Sequence, residues 1–155
     1  MKAIFAVNSV NGFGTGDDMP WPRSSIDLKR FKDLTSGATV IMGSATWNSN
    51  MPKPLPGRRN IVLSKSLVDN RCEVYNNITD LLMNTNKSED CWVIGGARVL
   101  WALRPNVMEV HLTIFDDTSR ATVTLDPQKY LDGFRLMFKE KYDNHQYQIW
   151  KRENT

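Results

Sequence analysis

The chain has 155 residues, which favours one domain spanning 1–155; a chain of this size hides roughly 70% of the surface exposed when unfolded. Hydrophobic residues are 41% and charged residues 24%, so wholesale disorder and fibrous repeats are excluded. Lys and Arg number 20 against 17 Asp and Glu, a net charge of +3. That is too small an excess for a nucleic-acid binder and fits an anionic small ligand as well as anything else.

Cys72 and Cys91 make no disulfide framework, and the two histidines, His111 and His145, lie too far apart in sequence to suggest zinc. Residues 1–7 are too short for a secretory signal, and no apolar stretch approaches the length of a membrane span. The expectation is a cytoplasmic chain with reduced thiols and no membrane partner.

Strand-length apolar runs alternate with helix-like segments. Residues 2–8 read as a strand, and 25–35 as a helix with Ser24 or Ser25 as N-cap and Gly37 just past its end. A buried strand follows at 38–42, then a short helical stretch over Ser44–Ser49, a Pro-rich turn at 51–59 and a strand at 60–64. Residues 73–75 read as a short strand, 78–84 as a helix, 91–94 as a strand and 97–103 as a helix. The remainder alternates like antiparallel strands at 107–115, 134–142 and 146–152, with a hairpin signal at Asp143-Asn144-His145. Strand–helix alternation followed by antiparallel pairs gives an α/β fold with a mainly parallel sheet.

Five segments have the composition of a binding site. Ile94-Gly95-Gly96-Ala97-Arg98 ends a strand and opens a helix, where backbone N–H groups can approach a phosphate. A tight turn explains the same glycines equally well, and the Rossmann fingerprint is absent. Val40-Ile41-Met42-Gly43-Ser44 repeats the pattern, and two such turns on one sheet suit a dinucleotide. The Leu55-Pro56-Gly57-Arg58-Arg59 turn offers two guanidinium groups to a carboxylate or phosphate, though a solvated turn reads the same. The long loop from Gly12 to Pro22, with three glycines and two prolines, has the composition of a lid.

The fifth is Asp27. A helical projection at about 100° per residue sets it on the apolar face with Leu28, Phe31 and Leu34. Lys29, Lys32 and Asp33 take the opposite side, with Arg30 between the two. A carboxylate there answers the helix dipole, joins a structural ion pair, or serves as a functional acid in a cleft.

Taken in order, Met19-Pro20-Trp21, Asp27-Leu28 with Phe31-Lys32, Val40-Ile41-Met42-Gly43 with Thr46-Trp47, Pro54-Leu55-Pro56-Gly57-Arg58, Ile94-Gly95-Gly96 and His111-Leu112-Thr113 resemble the dihydrofolate reductase family. The resemblance runs from Ala3 to about Trp150. It implies an eight-stranded, mostly parallel sheet with an antiparallel C-terminal strand, flanked by four helices. It implies hydride transfer from NADPH to 7,8-dihydrofolate for one-carbon metabolism, in a monomer open to antifolate inhibitors. Asp27 is then the acid that binds the pterin and promotes protonation at N5, with Thr113 behind it, Trp21 ordering a water and Met19 in the closing loop. Ile4, Phe5, Leu28, Phe31, Lys32, Ser49, Leu55 and Ile94 are implied as further substrate contacts. Arg58 is implied as the grip on the glutamate α-carboxylate. The implied NADPH contacts are Ala6, Phe13 and Gly14, then Gly43, Ser44, Ala45 and Thr46, then Leu63, Ser64 and Lys65, and Gly95, Gly96, Ala97, Arg98 and Val99.

Some positions depart from the family pattern. Ser44 and Ala45 stand where many members carry a base for the 2′-phosphate, so Lys65 with Ser64 is expected to take that task. Ser24-Ser25-Ile26 is one residue longer than the usual approach to the helix, Leu100 replaces an aromatic, and Thr122 replaces an acid. Two other readings share parts of the pattern. A reductase of riboflavin synthesis would keep the cofactor turns but lack the Asp27–Thr113 pair and the Pro-Leu-Pro-Gly-Arg turn. A catalytically idle NADPH-binding protein would keep the fold alone.

Overall fold

A computed structural model describes residues 1–14, 19–22 and 24–153. The elements in order are β1 (Lys2–Asn8), β2 (Gly12–Phe13), α1 (Ser25–Thr35), β3 (Thr39–Gly43), α2 (Ser44–Trp47), β4 (Arg59–Leu63) and β5 (Glu73–Tyr75). They continue with α3 (Ile78–Met83), β6 (Cys91–Gly95), α4 (Ala97–Leu103), a 3-10 turn (Arg104–Asn106), β7 (Glu109–Phe115), β8 (Val123–Thr124), α5 (Pro127–Tyr130), β9 (Phe134–Lys141) and β10 (His145–Arg152).

Eight strands lie side by side as β5-β4-β3-β6-β1-β7-β10-β9. The five pairings from β5 to β7 are parallel, and β10 joins β7 and β9 antiparallel. Two short strands lie off this path, β2 on β1 and β8 on β2. The described residues also carry a fifth α-helix beyond the four expected, α5, capped by Asp126 with Pro127 in its first turn.

The period-2 alternation of β1 splits its side chains between two cores. Ala3, Phe5 and Val7 join Ile41, Ile61, Val93, Val110 and Leu112 in a cluster closed by Leu81 of α3 and Val99, Leu100 and Leu103 of α4. Ile4 lies on the other face with Val40, Met42, Trp47, Leu55, Val62 and Trp92, covered by Phe31 and Leu34 of α1. Each large apolar side chain buried this way contributes about 1.5–3 kcal/mol, so both helix layers are held by their apolar stripes.

Ser24 is the N-cap of α1: its hydroxyl accepts from Asp27 N–H at 3.2 Å. Such a cap stabilises a helix by about 1 kcal/mol. Gly37 follows the helix end with φ +74°, a backbone shape that a side chain would strain, and its N–H donates to Gly57 O at 3.0 Å. Asn77 and Asp126 cap α3 and α5 in the same way as Ser24 caps α1. By contrast, α2 and α4 begin at Gly43 and Gly96 with no side-chain cap.

Candidate functional site

Parallel β3 and β6 place those two uncapped helix starts side by side. A Cβ built on Gly43 would stand 2.9 Å from Val99 Cγ2 and 4.0 Å from Gly96 N, so the two turns nearly touch. Gly95 has φ +133°, and a Cβ there would meet only Thr46 Oγ1 at 3.4 Å and Phe13 Cζ at 3.7 Å among nearby atoms. Two sets of backbone N–H groups without side-chain caps thus converge below the Thr46 hydroxyl. This cradle fits a pyrophosphate, because glycine lets the anion reach the backbone and each helix start carries partial positive charge.

One strand further out, β4 ends at Leu63, which pairs with Gly43. Ser64 and Lys65 therefore follow beside the cradle. The Ser64 hydroxyl accepts from Ser66 N–H and Leu67 N–H at 3.3 and 3.1 Å, which shapes the turn that leaves Lys65 exposed. Ser44 and Thr46 are half-buried, while Ala45 and Arg98 are exposed.

Asp27 sits in the first turn of α1 and is half-buried. Thr113, on β7 beside β1, donates its hydroxyl to Asp27 Oδ1 at 2.8 Å. Arg30 donates from Nη1 to the same oxygen at 3.3 Å. Two of the three roles open to Asp27, first-turn acid and ion-pair partner, are therefore met together. Phe31 packs on that core with Ile4 and Ile94. Leu28 departs from the helical projection: it is 48% exposed, at the rim instead of inside.

The projection sets Arg30 between the faces, but its side chain is only 12% exposed. Its guanidinium lies 4.0 Å over the Tyr147 ring and 5.0 Å over the Tyr142 ring, and Nη2 is 3.3 Å from His145 Nε2. His145 is the first residue of β10 and not part of the hairpin turn. The only local signal for this arrangement is the Asp27–Arg30 spacing of one helical turn.

Arg58 and Arg59 part company. Arg58 donates from Nη1 to Thr35 Oγ1 at 3.0 Å and from Nε to Pro56 O at 2.9 Å, and burial pulls its pKa below the ordinary value. Its Nη2 has no hydrogen bond to the described residues, so one edge of an oriented guanidinium remains available. Arg59 instead takes Glu73 at 2.6 and 2.7 Å and Glu89 at 2.9 Å, a structural network that removes it from any ligand.

Several of the expected contact residues have buried side chains. Phe5 is buried against Phe13 and Tyr130 in the first core, and Leu55 is buried in the second. Ser49 is buried, with its hydroxyl donated to Thr46 O at 2.6 Å. Lys32 is exposed on α1. Trp21 is buried and stacked on Phe115 at 4.8 Å, two residues beyond Thr113 on β7. Met19 is 51% exposed, and its Sδ lies where a Gly14 side chain would go. The middle of the expected lid, residues 15–18, lies outside the described residues.

Asn8 carried no signal in the sequence, yet it ties the base of that loop. Its Oδ1 accepts from Gly12 N–H at 2.7 Å, and its Nδ2 donates to Asp117 Oδ2 at 3.1 Å and Ser119 O at 2.6 Å.

The sequence and the fold can both be set beside known proteins. The family model described as dihydrofolate reductase matches residues 1–152. A dihydrofolate reductase of Mycobacterium leprae is 41% identical over 118 residues, 73% of this chain and 70% of that protein. Dihydrofolate reductase type 8 of Escherichia coli is 27% identical over 163 residues, 99% of this chain and 96% of that protein. The solved dihydrofolate reductase from Enterococcus faecalis complexed with NADP(H) and RAB-propyl shares the fold, with a TM-score of 0.84 at 24% identity, covering 99% of this chain and 96% of that one. Matched over nearly its whole length, the chain belongs to the dihydrofolate reductase family.

Proposed function

We propose that this chain reduces 7,8-dihydrofolate to tetrahydrofolate with NADPH. The observation that carries the reading is the Asp27–Thr113 pair, a carboxylate with one oxygen held, one helical turn before Phe31, which packs on the second core with Ile4 and Ile94. A 2-aminopterin offers two parallel N–H groups, from N3 and the 2-amino group, and a carboxylate accepts both. Pairing with Asp27 fixes the ring in the cleft and favours the tautomer that takes a proton at N5. Thr113 holds the carboxylate still while it does so. Ile4, Phe31 and Ile94 exclude water from the ring faces, and Trp21 orders the water next to N5. Arg58 takes the α-carboxylate of the glutamate tail with its available edge.

NADPH, when bound, supplies the hydride that C6 receives. The glycine turns at Gly43 and Gly95-Gly96 with Thr46 would hold its pyrophosphate, and Lys65 its 2′-phosphate. Ala6, Phe13 and Gly14 border the nicotinamide end. The protein contributes orientation and proton management and leaves the redox change to the cofactor. A carboxylate that accepts a 2-amino group also accepts diaminopyrimidines, so antifolates of that class are expected ligands. The free thiols of Cys72 and Cys91 support a reducing, cytoplasmic setting.

The test is absorbance at 340 nm on the purified protein. Loss that requires dihydrofolate and runs faster with NADPH than NADH supports the reading. A folded protein that binds NADPH without turnover replaces it with the idle-binder reading.

A further inference from the structure

We infer that Arg30 is a positioning residue for Asp27, clamping the carboxylate from a cage built by the C-terminal hairpin. The inference rests on the function proposed above, since it concerns how that site holds its substrate.

The clamp can be followed atom by atom. Asn144 Oδ1 is 2.7 Å from His145 Nδ1 and accepts its proton. Nε2 is then the lone-pair nitrogen and accepts from Arg30 Nη2 at 3.3 Å. Burial first, and Arg30's charge second, press the His145 pKa down, which keeps that lone pair available. Tyr142 stacks on His145 at 4.7 Å and 11°, and Tyr147 lies beneath the guanidinium at 4.0 Å. His111 in turn fixes Tyr147: its Nε2 bonds Glu109 Oε2 at 2.6 Å, leaving Nδ1 to accept from the Tyr147 hydroxyl.

A guanidinium so confined has few orientations left, and the one it takes points Nη1 at Asp27 Oδ1. Thr113 donates to that same oxygen at 2.8 Å. With two donors on Oδ1, the carboxylate plane is fixed, and Oδ2 carries no bond from the described residues. A residue serving only to pack α1 on the hairpin would need the two tyrosines and His145 alone. The bond to the oxygen already used by Thr113 points to the substrate site. Positioning of this kind acts on binding of the pterin ring and not on the cofactor cradle at the Gly43 and Gly96 turns.

The experiment compares the wild type with Arg30→Met, Arg30→Lys, Asp27→Asn and the Arg30→Met/Asp27→Asn double variant. Two readouts are taken: steady-state kinetics with dihydrofolate and NADPH, and affinity for 2,4-diaminopyrimidine by tryptophan fluorescence. Arg30→Met is expected to raise KM for dihydrofolate and weaken diaminopyrimidine binding about tenfold, the worth of one charged hydrogen bond. KM for NADPH is expected to stay within about twofold, and Arg30→Lys to recover most of the loss. In the Asp27→Asn background Arg30→Met is expected to add less than about twofold, since its effect passes through the carboxylate. If Arg30→Met does not fold, Arg30→Gln carries the same comparison. Equal changes in both KM values, or a full additional effect without Asp27, overturn the inference while leaving the proposed reaction standing. A wild type that binds diaminopyrimidine but does not turn over dihydrofolate overturns the reaction, and the binding cycle still decides the role of Arg30. Neither binding nor turnover in a folded wild type overturns both.

Discussion

Thr113 Oγ1 lies 2.8 Å from Asp27 Oδ1 and joins α1 to β7 across 86 positions of sequence. The hydroxyl donates that bond, so it fixes which oxygen is held and which is offered. Two consequences are measurable. Asp27→Asn keeps the shape but loses the charge, and it is expected to lower kcat/KM for dihydrofolate at pH 7 by about 100-fold or more. The deficit is expected to shrink towards pH 5, where substrate arrives already protonated at N5. A deficit equal at every pH contradicts the proton-management role.

Lys65 is an exposed cation just past the end of β4, the strand beside the Gly43 turn. Lys65→Ala is expected to raise KM for NADPH about tenfold, as loss of one charge-assisted phosphate contact would, while KM for NADH stays unchanged. An unchanged ratio of the two removes Lys65 from the 2′-phosphate.

Asn8 satisfies Gly12 N–H from a buried position and holds Asp117 and Ser119. Asn8→Ala leaves Gly12 N–H and Ser119 O without that partner, and is expected to cost about 1–3 kcal/mol in urea unfolding. A loss within about 0.5 kcal/mol, the range of an ordinary surface change, would show that the loop base rearranges freely.

His111 and His145 are both buried, and burial is the first cause pressing each pKa below 6.5. The unfolded chain takes up these protons near 6.5. Between that value and the lower folded ones, the unfolded state holds more protons, so stability rises with pH. Their contribution is fully present above about 6.5 and is lost as pH falls through the folded values. The urea midpoint is therefore expected to fall from pH 7 to pH 5, before Glu109 or Glu73, both held below the usual carboxylate value of 4.5, begins to protonate. His111→Gln is expected to flatten part of that slope. A midpoint constant over this interval contradicts the burial of neutral histidines.

The parts of the fold that could be read from sequence are those whose reasons are local. The longer strands of the sheet declare themselves as apolar or alternating runs, and Ser24 and Gly37 bracket α1 by capping chemistry alone. Gly12–Phe13 has no such pattern: it is a strand only because β1 and Val123–Thr124 flank it. The Asp126-Pro127 start of α5 was a usable signal for a helix of a single turn. At the site, Asp27 stood out by its place on an apolar face. Arg30 did not, because its reasons are Tyr142, His145 and Tyr147, more than a hundred residues downstream. Arg58 and Arg59 are neighbours in sequence, and only the acids beside Arg59 separate their fates.

The strand order also bears on when the chain can complete itself. β9 is made before β10, yet among the described residues its only neighbour in the sheet is β10, which lies between it and β7. A growing polypeptide that has reached Lys141 has nowhere to lay β9 down. The last strand must enter first, and it brings His145 and Tyr147 with it. Sheet closure and the anchoring of Arg30 are thus one late event during synthesis, and a nascent chain halted before residue 145 would carry Asp27 with its guanidinium partner unrestrained.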